Sequence, residues 1–302
     1  MIKSIQLKDS GLILDLSRGG KILSLFLSSD NHKYGREVIR GLPGNFFLSG
    51  SYFLFPWVNR IATTKFSYQG KDYEYSGKLQ DEHGSPIHGI VFDTERKITT
   101  EENSGDSHII RIVPEFQTPQ FPFIEECFIL RRNSLSITVL FSNRSHHTQF
   151  FSFGYHPYIN LGTRVDSLLL NSNLNDLIPL NERLLPKPYV IPGGRKYIFQ
   201  NGESIGNGEL DHCITGTPVS GNPEVVLSRI DTGESVCIST DSDRKMFPLR
   251  YFQLYIPPDR NSIAIEPMSS AGDVFHSPVS GPQILFPGES RSGRFTIEYK
   301  QT

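Results

Sequence analysis

The feature that most constrains this chain is an aromatic stretch, Phe150–Leu161, whose side chains alternate in character with a period of two residues. In an extended strand, alternate side chains lie on opposite faces. One face would form a slab of aromatic core from Phe151, Phe153 and Tyr155. The other face would lose side-chain volume and end in an imidazole, in the order Phe150, Ser152, Gly154, His156.

The residue after this imidazole is Pro157. Proline has no backbone N–H and restricts the preceding residue to extended geometry, so we expect the strand to end with His156 at its edge. A strand face whose side chains become small beside a polar group leaves room for another molecule to approach. The alternative is a core histidine whose ring is bonded to a backbone carbonyl.

A second stretch, Ser262–Pro267, repeats this design. Ile263 and Ile265 share one face, while the opposite face runs through small residues to Glu266, which proline again follows. A carboxylate is costly to bury unless it is paired or used in chemistry. The alternative is a glutamate at a strand end that points into water. The matched pair of stretches predicts that His156 and Glu266 meet in one cleft, each at the end of its strand.

Short runs typical of strands recur along the 302 residues, separated by turns rich in Gly and Pro. These runs are Ile2–Leu7, Leu12–Leu16, Ile22–Leu27, Ile109–Val113, Ile124–Leu130, Leu135–Phe141, Val165–Leu170, Val225–Leu227, Val236–Thr240, Tyr251–Ile256, Ile284–Phe286 and Arg294–Tyr299. Helical periodicity is scarce. The pattern predicts an all-β fold, a large antiparallel β-sandwich with few short helices. Residues 1–302 are expected to form a single domain, with the loop-rich segment Asn171–Gly208 as an excursion within it.

Charge and cysteine content exclude several function classes. The formal net charge is −2, which does not favour a nucleic-acid surface or a basic membrane face. No apolar run is long enough to span a membrane, and the N-terminus lacks a secretory pattern. The widely spaced Cys127, Cys213 and Cys237 disfavour a disulfide framework or a structural zinc site. We therefore expect a cytoplasmic protein without a nucleic-acid or membrane partner; nothing in the sequence predicts an oligomeric state.

Other polar side chains occur beside residues that suit a binding site. Trp57 is close to Asn59 and Arg60, and both a sugar-stacking role and a core role are open for this indole. His88 precedes a glycine that permits close backbone approach, and Asp211 follows a turn-rich loop. A divalent ion held by Asp81, Glu82, His83 and His88 is a less favoured alternative.

Taken in order, these segments resemble the successive signatures of the aldose 1-epimerase (galactose mutarotase) family. The resemblance spans about residues 50 to 300 and rests on Pro56–Ile61, Ile87–Gly89, Gly154–Tyr158, Leu210–His212, Ile265–Met268 and the tail Ile284–Glu289. It implies a β-sandwich with a sugar in a cleft on one face. It also implies interconversion of the α and β anomers of a free aldose, without a cofactor or a metal.

By matching motif, Glu266 would take the proton from the C1 hydroxyl and His156 would protonate the ring oxygen. Arg60, His88 and Asp211 would hold sugar hydroxyls, with Asn59 beside them. Ordinary pKa values, about 4.3 for Glu and about 6.5 for His, suit a carboxylate base and a partly protonated imidazole acid.

The chain departs from the family pattern after His88-Gly89. Relatives continue toward a tryptophan, whereas this chain has Ile90–Ile98 without one, so one side of the sugar pocket is expected to differ. Relatives that act on hexose 6-phosphates carry an arginine soon after this motif; here the nearest is Arg96, and Asp93 and Glu95 precede it. A phosphate dianion needs cationic partners, so we expect a preference for neutral aldoses.

Two other function classes stay open. A glycoside hydrolase could use Asp211 and Glu266 as its pair of carboxylates, which would have to lie roughly 5 to 9.5 Å apart. That hypothesis gives His156 no role. A non-catalytic carbohydrate-binding module would not require Glu266 and His156 to meet at all.

Overall fold

The structure is a computed structural model that describes residues 1–29, 35–68, 70–115, 118, 120–193 and 202–302. It is built almost entirely of strands, with one short 3₁₀ helix at Val165–Ser167. In chain order, the strands are β1 (Ile2–Leu7), β2 (Ser10–Asp15), β3 (Lys21–Leu27), β4 (Arg36–Arg40), β5 (Phe53–Leu54), β6 (Lys65–Tyr68), β7 (Lys71–Glu74), β8 (Arg96–Asn103), β9 (His108–Pro114), β10 (Phe123–Leu130), β11 (Ser134–Ser142), β12 (Gln149–Phe151), β13 (Gly154–Tyr155), β14 (Tyr158–Ile159), β15 (Leu169–Ser172), β16 (Asp176–Ile178), β17 (Ile191–Pro192), β18 (Glu203–Ser204), β19 (Asp211–Thr215), β20 (Glu224–Arg229), β21 (Glu234–Thr240), β22 (Tyr251–Tyr255), β23 (Ile263–Met268), β24 (Gln283–Leu285) and β25 (Ser290–Gln301).

Two large antiparallel sheets contain most of these strands. The first has 12 strands, ordered β1-β2-β3-β4-β14-β23-β22-β19-β16-β17, with β13 paired to β23 and β5. The second has 9 strands, ordered β18-β15-β20-β21-β25-β11-β10-β9-β8. The pairs β12-β24 and β6-β7 form two small sheets. This architecture confirms the predicted antiparallel β fold.

The main core lies between the two large sheets. Alternation along β11 is strict, with every second side chain buried, and these residues join a cluster shared with the first sheet. Phe151, Phe153 and Tyr155 belong to the same cluster, as the period-two pattern predicted. Because that pattern gives one apolar face per strand, the sheets can associate only through those faces.

Two local predictions are wrong. Val165–Leu170 was expected to be a strand, but its first half is the 3₁₀ helix, closed by the Leu168 N–H donating to the Val165 carbonyl. Glu266 was expected at a strand end, but β23 continues through Pro267 to Met268. The Ile265 and Ser269 N–H groups donate toward the Pro157 and Phe153 carbonyls, so residue 267 faces the break between β13 and β14. A proline is tolerated there because, on the side of β23 that its missing N–H would face, the neighbouring strand is interrupted.

The predicted excursion, Asn171–Gly208, contains short strands that extend both large sheets. β16 and β17 lie at the edge of the first sheet, and β18 lies at the edge of the second. The part of the excursion at positions 194–201 falls outside the described residues. The single-domain assignment of residues 1–302 stays a prediction. None of the helical structure in the described residues is long and apolar enough to cross a membrane.

A charged pair is enclosed between the sheets. Arg96 Nε donates to Glu126 Oε1 at 2.7 Å, and the two side chains are 0% and 1% exposed. The Tyr155 hydroxyl donates to the other carboxylate oxygen of Glu126. Arg96 also donates to the Thr94 carbonyl at 2.8 Å, which ties β8 to the segment before it. Removing either charge would leave the other buried without its partner, the costly case for such pairs.

We predict that Arg96→Met lowers the free energy of unfolding by about 3–5 kcal/mol, because it leaves the Glu126 carboxylate unpaired in the core. The double variant Arg96→Met/Glu126→Leu should recover much of that loss. Urea unfolding followed by circular dichroism measures both, and a single transition would support the single-domain assignment.

Lys97→Met is the matched control, since Lys97 pairs with Glu115 on the exposed side of the same strand. It should leave the urea midpoint unchanged. An Arg96→Met midpoint equal to that of the wild type would contradict the buried-pair interpretation.

Candidate active site

The outer face of the first sheet carries a row of polar side chains on neighbouring strands. Glu266 on β23 is directly opposite Gln253 on β22, and Asp211 on β19 is opposite Tyr255 on β22. His156 lies in the gap between β13 and β14, on the other side of β23. Alternate residues of these strands, such as Leu254 and Ile265, face the core. The polar face of each strand is therefore fixed by its apolar face.

These side chains line a cavity of about 340 Å³. All six residues proposed from the sequence lie around it, namely Asn59, Arg60, His88, His156, Asp211 and Glu266. The remaining lining residues are Phe47, Leu48, Leu79, Gln80, Asp81, Glu82, Ile87, Tyr158, Leu184, Gln253 and Tyr255. A concave site with a few convergent polar groups on a rigid sheet is typical of a small-molecule site.

The two ionisable side chains identified first are in direct contact. His156 Nε2 lies 3.2 Å from Glu266 Oε1, and the side chains are 5% and 2% exposed. Three buried polar atoms of the cavity have no hydrogen-bond partner, namely His156 Nδ1, Glu266 Oε2 and His88 Nδ1. Unpartnered buried polar atoms are uncommon in folded proteins, and at a cavity they indicate where a ligand would supply the missing bonds.

Arg60 is held on two sides. Its Nε donates to Asp81 Oδ2 at 2.6 Å, and Nη1 donates to Asn59 Oδ1 at 3.2 Å. Asp211 Oδ2 lies 4.0 Å from Nη1 on the cavity side. The other oxygen of Asp211 accepts a hydrogen bond from the Gln253 amide. The guanidinium and the Asp211 carboxylate are thereby oriented before any ligand arrives.

The backbone around His88 adopts uncommon conformations. Asn59 and His88 have φ angles of 47° and 62°, in the left-handed region, and the His88 N–H donates to the Asn59 carbonyl at 2.9 Å. Gly89 follows with φ 76°, where an added Cβ would lie 2.0 Å from the Phe55 carbonyl oxygen. Such strain persists only where the surrounding structure enforces it, and it often marks functional sites. Here it places the His88 ring edge-on to the His156 ring, with centroids 5.1 Å apart.

Burial changes the ionisation of the cavity groups. It raises the pKa of the Glu266 carboxyl well above its ordinary value; nearby Asp211 adds to this shift and Arg60 opposes it. Burial also lowers the pKa of His156 well below its ordinary value, and it lowers the pKa of His88 to about 3. The ordinary values used in the sequence analysis therefore do not hold. The Glu266–His156 pair favours a neutral state with one proton on the carboxyl.

The metal cluster considered from the sequence is not formed. Asp81 instead accepts from Arg60 and, through Oδ1, from the backbone N–H groups of His83 and Ser85 at 3.0 and 2.8 Å. Within the described part of the chain, no group of three or more His, Cys, Asp or Glu side chains could hold a metal ion. All three cysteines are free.

Sequence reasoning missed several residues of the site. Gln253 lies in a predicted strand, but nothing local distinguishes an amide that will face a cavity. Asp81 was noticed only as a possible metal ligand. Tyr52 and Tyr158 both stack on His156, although only Tyr158 belongs to the Gly154–Tyr158 motif.

Trp57 and the segment after His88 have structural roles. Trp57 is fully buried and stacks on Tyr75, so the core alternative is correct for this indole. After His88-Gly89, the buried Phe92 packs edge-on against Phe47, which lines the cavity, with ring centroids 5.2 Å apart. Arg96 forms the buried ion pair with Glu126 and does not line the cavity.

The chain is similar in sequence to a family of known proteins. The sequence profile of the family described as "Aldose 1-epimerase" matches residues 4–298. The Escherichia coli (strain K12) protein YihR, described as uncharacterized, is 23% identical over 230 residues, 74% of this chain and 71% of its own.

Two solved structures have a similar fold. A galactose mutarotase-like protein from Clostridium acetobutylicum superposes with a TM-score of 0.84 and 18% identity, covering 100% of this chain and 99% of its own. A putative aldose 1-epimerase from Escherichia coli K12 gives a TM-score of 0.79 and 17% identity, with the same coverage. Both confirm the expected sandwich architecture.

The low pKa of His88 predicts a pH dependence of stability. Below about pH 6.5 the unfolded chain binds a proton at this histidine, whereas the folded chain does not until about pH 3. Acidification through this window should therefore destabilise the folded state. Between pH 6.5 and 4.5 the wild type should lose about 2 kcal/mol more than His88→Asn, by urea unfolding at each pH. Parallel stability curves for the two proteins would contradict this assignment.

Proposed function

This chain belongs to the aldose 1-epimerase family, and we propose that it interconverts the α and β anomers of a free aldose, a hexose such as glucose or galactose. The observation that carries the proposal is the 3.2 Å contact between His156 Nε2 and Glu266 Oε1 inside the cavity. Anomer exchange requires one proton removed at O1 and one delivered at the ring oxygen, and a close acid–base pair can do both.

In this mechanism the number of protons on the Glu266–His156 pair stays constant. Transfer of that proton from Glu266 to His156 gives a carboxylate and an imidazolium without a change in net charge. The hydroxyls of a bound sugar would stabilise this ionised form by supplying the hydrogen bonds that Glu266 Oε2 and His156 Nδ1 lack.

Ring opening then follows from the ionised pair. Glu266 accepts the O1 proton, His156 donates its proton to O5, and the C1–O5 bond breaks as the C1–O1 bond becomes a carbonyl. The pair is now neutral again, as burial favours. Rotation about C1–C2 presents the other face of the aldehyde. Reclosure reverses the two proton transfers, with O5 attacking C1, and gives the opposite anomer.

The other cavity residues would hold the sugar rather than react. Arg60 and Asp211 present a fixed donor and a fixed acceptor, and Asn59 acts on the sugar mainly by orienting Arg60. Neutral His88 can donate or accept one hydrogen bond at Nδ1, which is otherwise unpartnered. Tyr255 and Phe47 offer aromatic surface to the faces of the ring.

The charge of the cavity favours neutral sugars. Of the described residues that line it, Arg60 alone carries a permanent positive charge, and Asp81 already neutralises it at 2.6 Å. Asp211 and Glu82 also line the cavity. Asp93, on which the sequence argument relied, instead pairs with Lys78 at 2.7 Å away from these residues. The preference for neutral aldoses thus rests on different carboxylates from those first considered.

We predict that Glu266→Gln lowers kcat for anomer exchange by roughly 10²–10⁴-fold, because the amide cannot accept the O1 proton. Sugar binding should persist, since the amide retains a similar shape and hydrogen-bonding capacity. Exchange NMR between the anomers of glucose and galactose measures the rate, and calorimetry measures the affinity.

Glu234→Gln is the matched control: a buried glutamate outside the cavity that pairs with Arg36 at 2.8 Å. It should retain kcat even if stability falls. A wild type without exchange on any aldose would refute the proposal. Release of nitrophenol from aryl glycosides, abolished by Asp211→Asn, would indicate the hydrolase; sugar binding alone would indicate a binding module.

The enzyme should prefer neutral sugars to phosphorylated ones. The kcat/KM for glucose or galactose should exceed that for glucose 6-phosphate at equal ionic strength, because cavity carboxylates repel the dianion. Raising the salt concentration should narrow the difference. A clearly higher kcat/KM on the phosphate ester would overturn the preference while leaving the epimerase proposal intact.

A further inference from the structure

His156 lacks the support that usually orients a functional histidine. In most such sites the second ring nitrogen is bonded to a carboxylate or a carbonyl, which fixes the tautomer and the orientation of the ring. Here Nε2 faces Glu266, but Nδ1 makes no hydrogen bond to another residue, although it is buried. Something else must prevent the imidazole from turning away from Glu266.

Two tyrosine rings stack on this imidazole. The Tyr52 ring centroid lies 4.9 Å from that of His156, with an interplanar angle of 21°. The Tyr158 ring stacks at 4.8 Å and 27°. Stacking at these distances is favourable, and the imidazole cannot turn far out of its present plane without losing its contact with the two rings.

The tyrosines are themselves anchored at one point. The Tyr158 hydroxyl donates to the Phe47 carbonyl at 2.8 Å, and the Tyr52 hydroxyl donates to the same carbonyl at 3.3 Å. A backbone hydrogen bond also joins Tyr52 to the histidine: the His156 N–H donates to the Tyr52 carbonyl at 3.0 Å. The Phe47 side chain lines the cavity, so this anchor belongs to the cavity wall.

We propose that Tyr52 and Tyr158 are positioning residues, which hold the His156 imidazole with Nε2 toward Glu266 and favour its protonated form during ring opening. This inference rests on the proposed anomer exchange, in which His156 must carry a proton when O5 receives it. A cation within about 6 Å of an aromatic face is stabilised by the ring quadrupole, and an imidazolium here would lie within that distance of both tyrosine rings.

The two tyrosine rings oppose the other effects on the pKa of His156. Burial lowers the pKa of His156, and the neighbouring His88 and Lys21 lower it further. Glu266 is the carboxyl in contact with the ring. The Lys21 Nζ donates to the Phe46 carbonyl at 2.5 Å and lies 6.0 Å from the centroid of the Tyr52 ring. The aromatic faces supply stabilisation without adding a negative charge, which would raise the pKa of Glu266 still further.

The test compares the loss of a ring with the loss of a hydroxyl. Tyr158→Leu removes one face but keeps the space apolar, whereas Tyr158→Phe keeps the face and removes only the bond to Phe47. For Tyr158→Leu we expect kcat to fall about tenfold or more, KM to change less than about threefold, and the protonation of His156 to shift to lower pH. Tyr158→Phe should stay within about threefold of the wild type in kcat.

Tyr75→Leu is the matched control, since Tyr75 is equally buried and bonds to the Phe150 carbonyl outside the cavity. It should lower the melting temperature yet leave kcat and the pH profile unchanged. Equal kcat losses in Tyr158→Leu and Tyr75→Leu, or wild-type behaviour of Tyr158→Leu, would overturn the proposal.

The protonation of His156 is measured independently of turnover, by NMR of ¹⁵N-labelled imidazole in each protein. If the wild type exchanges no aldose, the proposed function fails, and the shift of the His156 titration in Tyr158→Leu still decides whether the rings act on the imidazole. An unchanged titration in Tyr158→Leu would refute the role of Tyr158 even in an active enzyme.

Discussion

The candidate site depends on the two-sided character of the first sheet. One face of β19, β22 and β23 is packed into the main core, through residues such as Ile265, so these strands cannot slip. A shift of one residue would bury Glu266 and Gln253 in that core and turn aliphatic side chains toward the cavity. The core therefore fixes which residues meet above the sheet, as well as holding the two sheets together. Strand register positions Glu266, Gln253 and Asp211, whereas Asn59, Arg60 and His88 lie in the segments between strands.

Burial then determines what the assembled groups can do. In water at neutral pH an isolated Glu would be a carboxylate and an isolated His only partly protonated. In the cavity burial disfavours both charged forms, so the Glu266 carboxyl keeps its proton and His156 stays neutral. A group pair in this condition is poised to move a proton in either direction when a polar ligand arrives. The same desolvation makes the surrounding aromatic rings and amides effective, because their fields are not screened by water.

Much of the architecture follows from local patterns, whereas much of the site does not. Short strand-like runs between turns predicted β10, β11 and β25, and alternation predicted the aromatic slab before His156. The central role of β23 was harder to see, because Pro267 suggests a strand end unless its neighbour is known to break there. Tyr52 meets His156 through pairing of segments far apart in the chain, which no local pattern encodes. Gln253 meets Glu266 only through the register in which β22 pairs with β23. The ionisation of the pair also depends on burial, a property of the assembled sheet.

The restraint of Arg60 has a consequence for the thermodynamics of binding. A free arginine that becomes fixed on a ligand loses side-chain entropy, typically about 0.5–1.5 kcal/mol for such a residue. Here Asp81 and Asn59 already fix the guanidinium, so that loss is incurred on folding and not on binding. In the proposed reaction, a rigid frame of this kind would recognise the parts of a sugar that do not change between anomers. It would hold the molecule while the configuration at C1 inverts, without releasing and rebinding it.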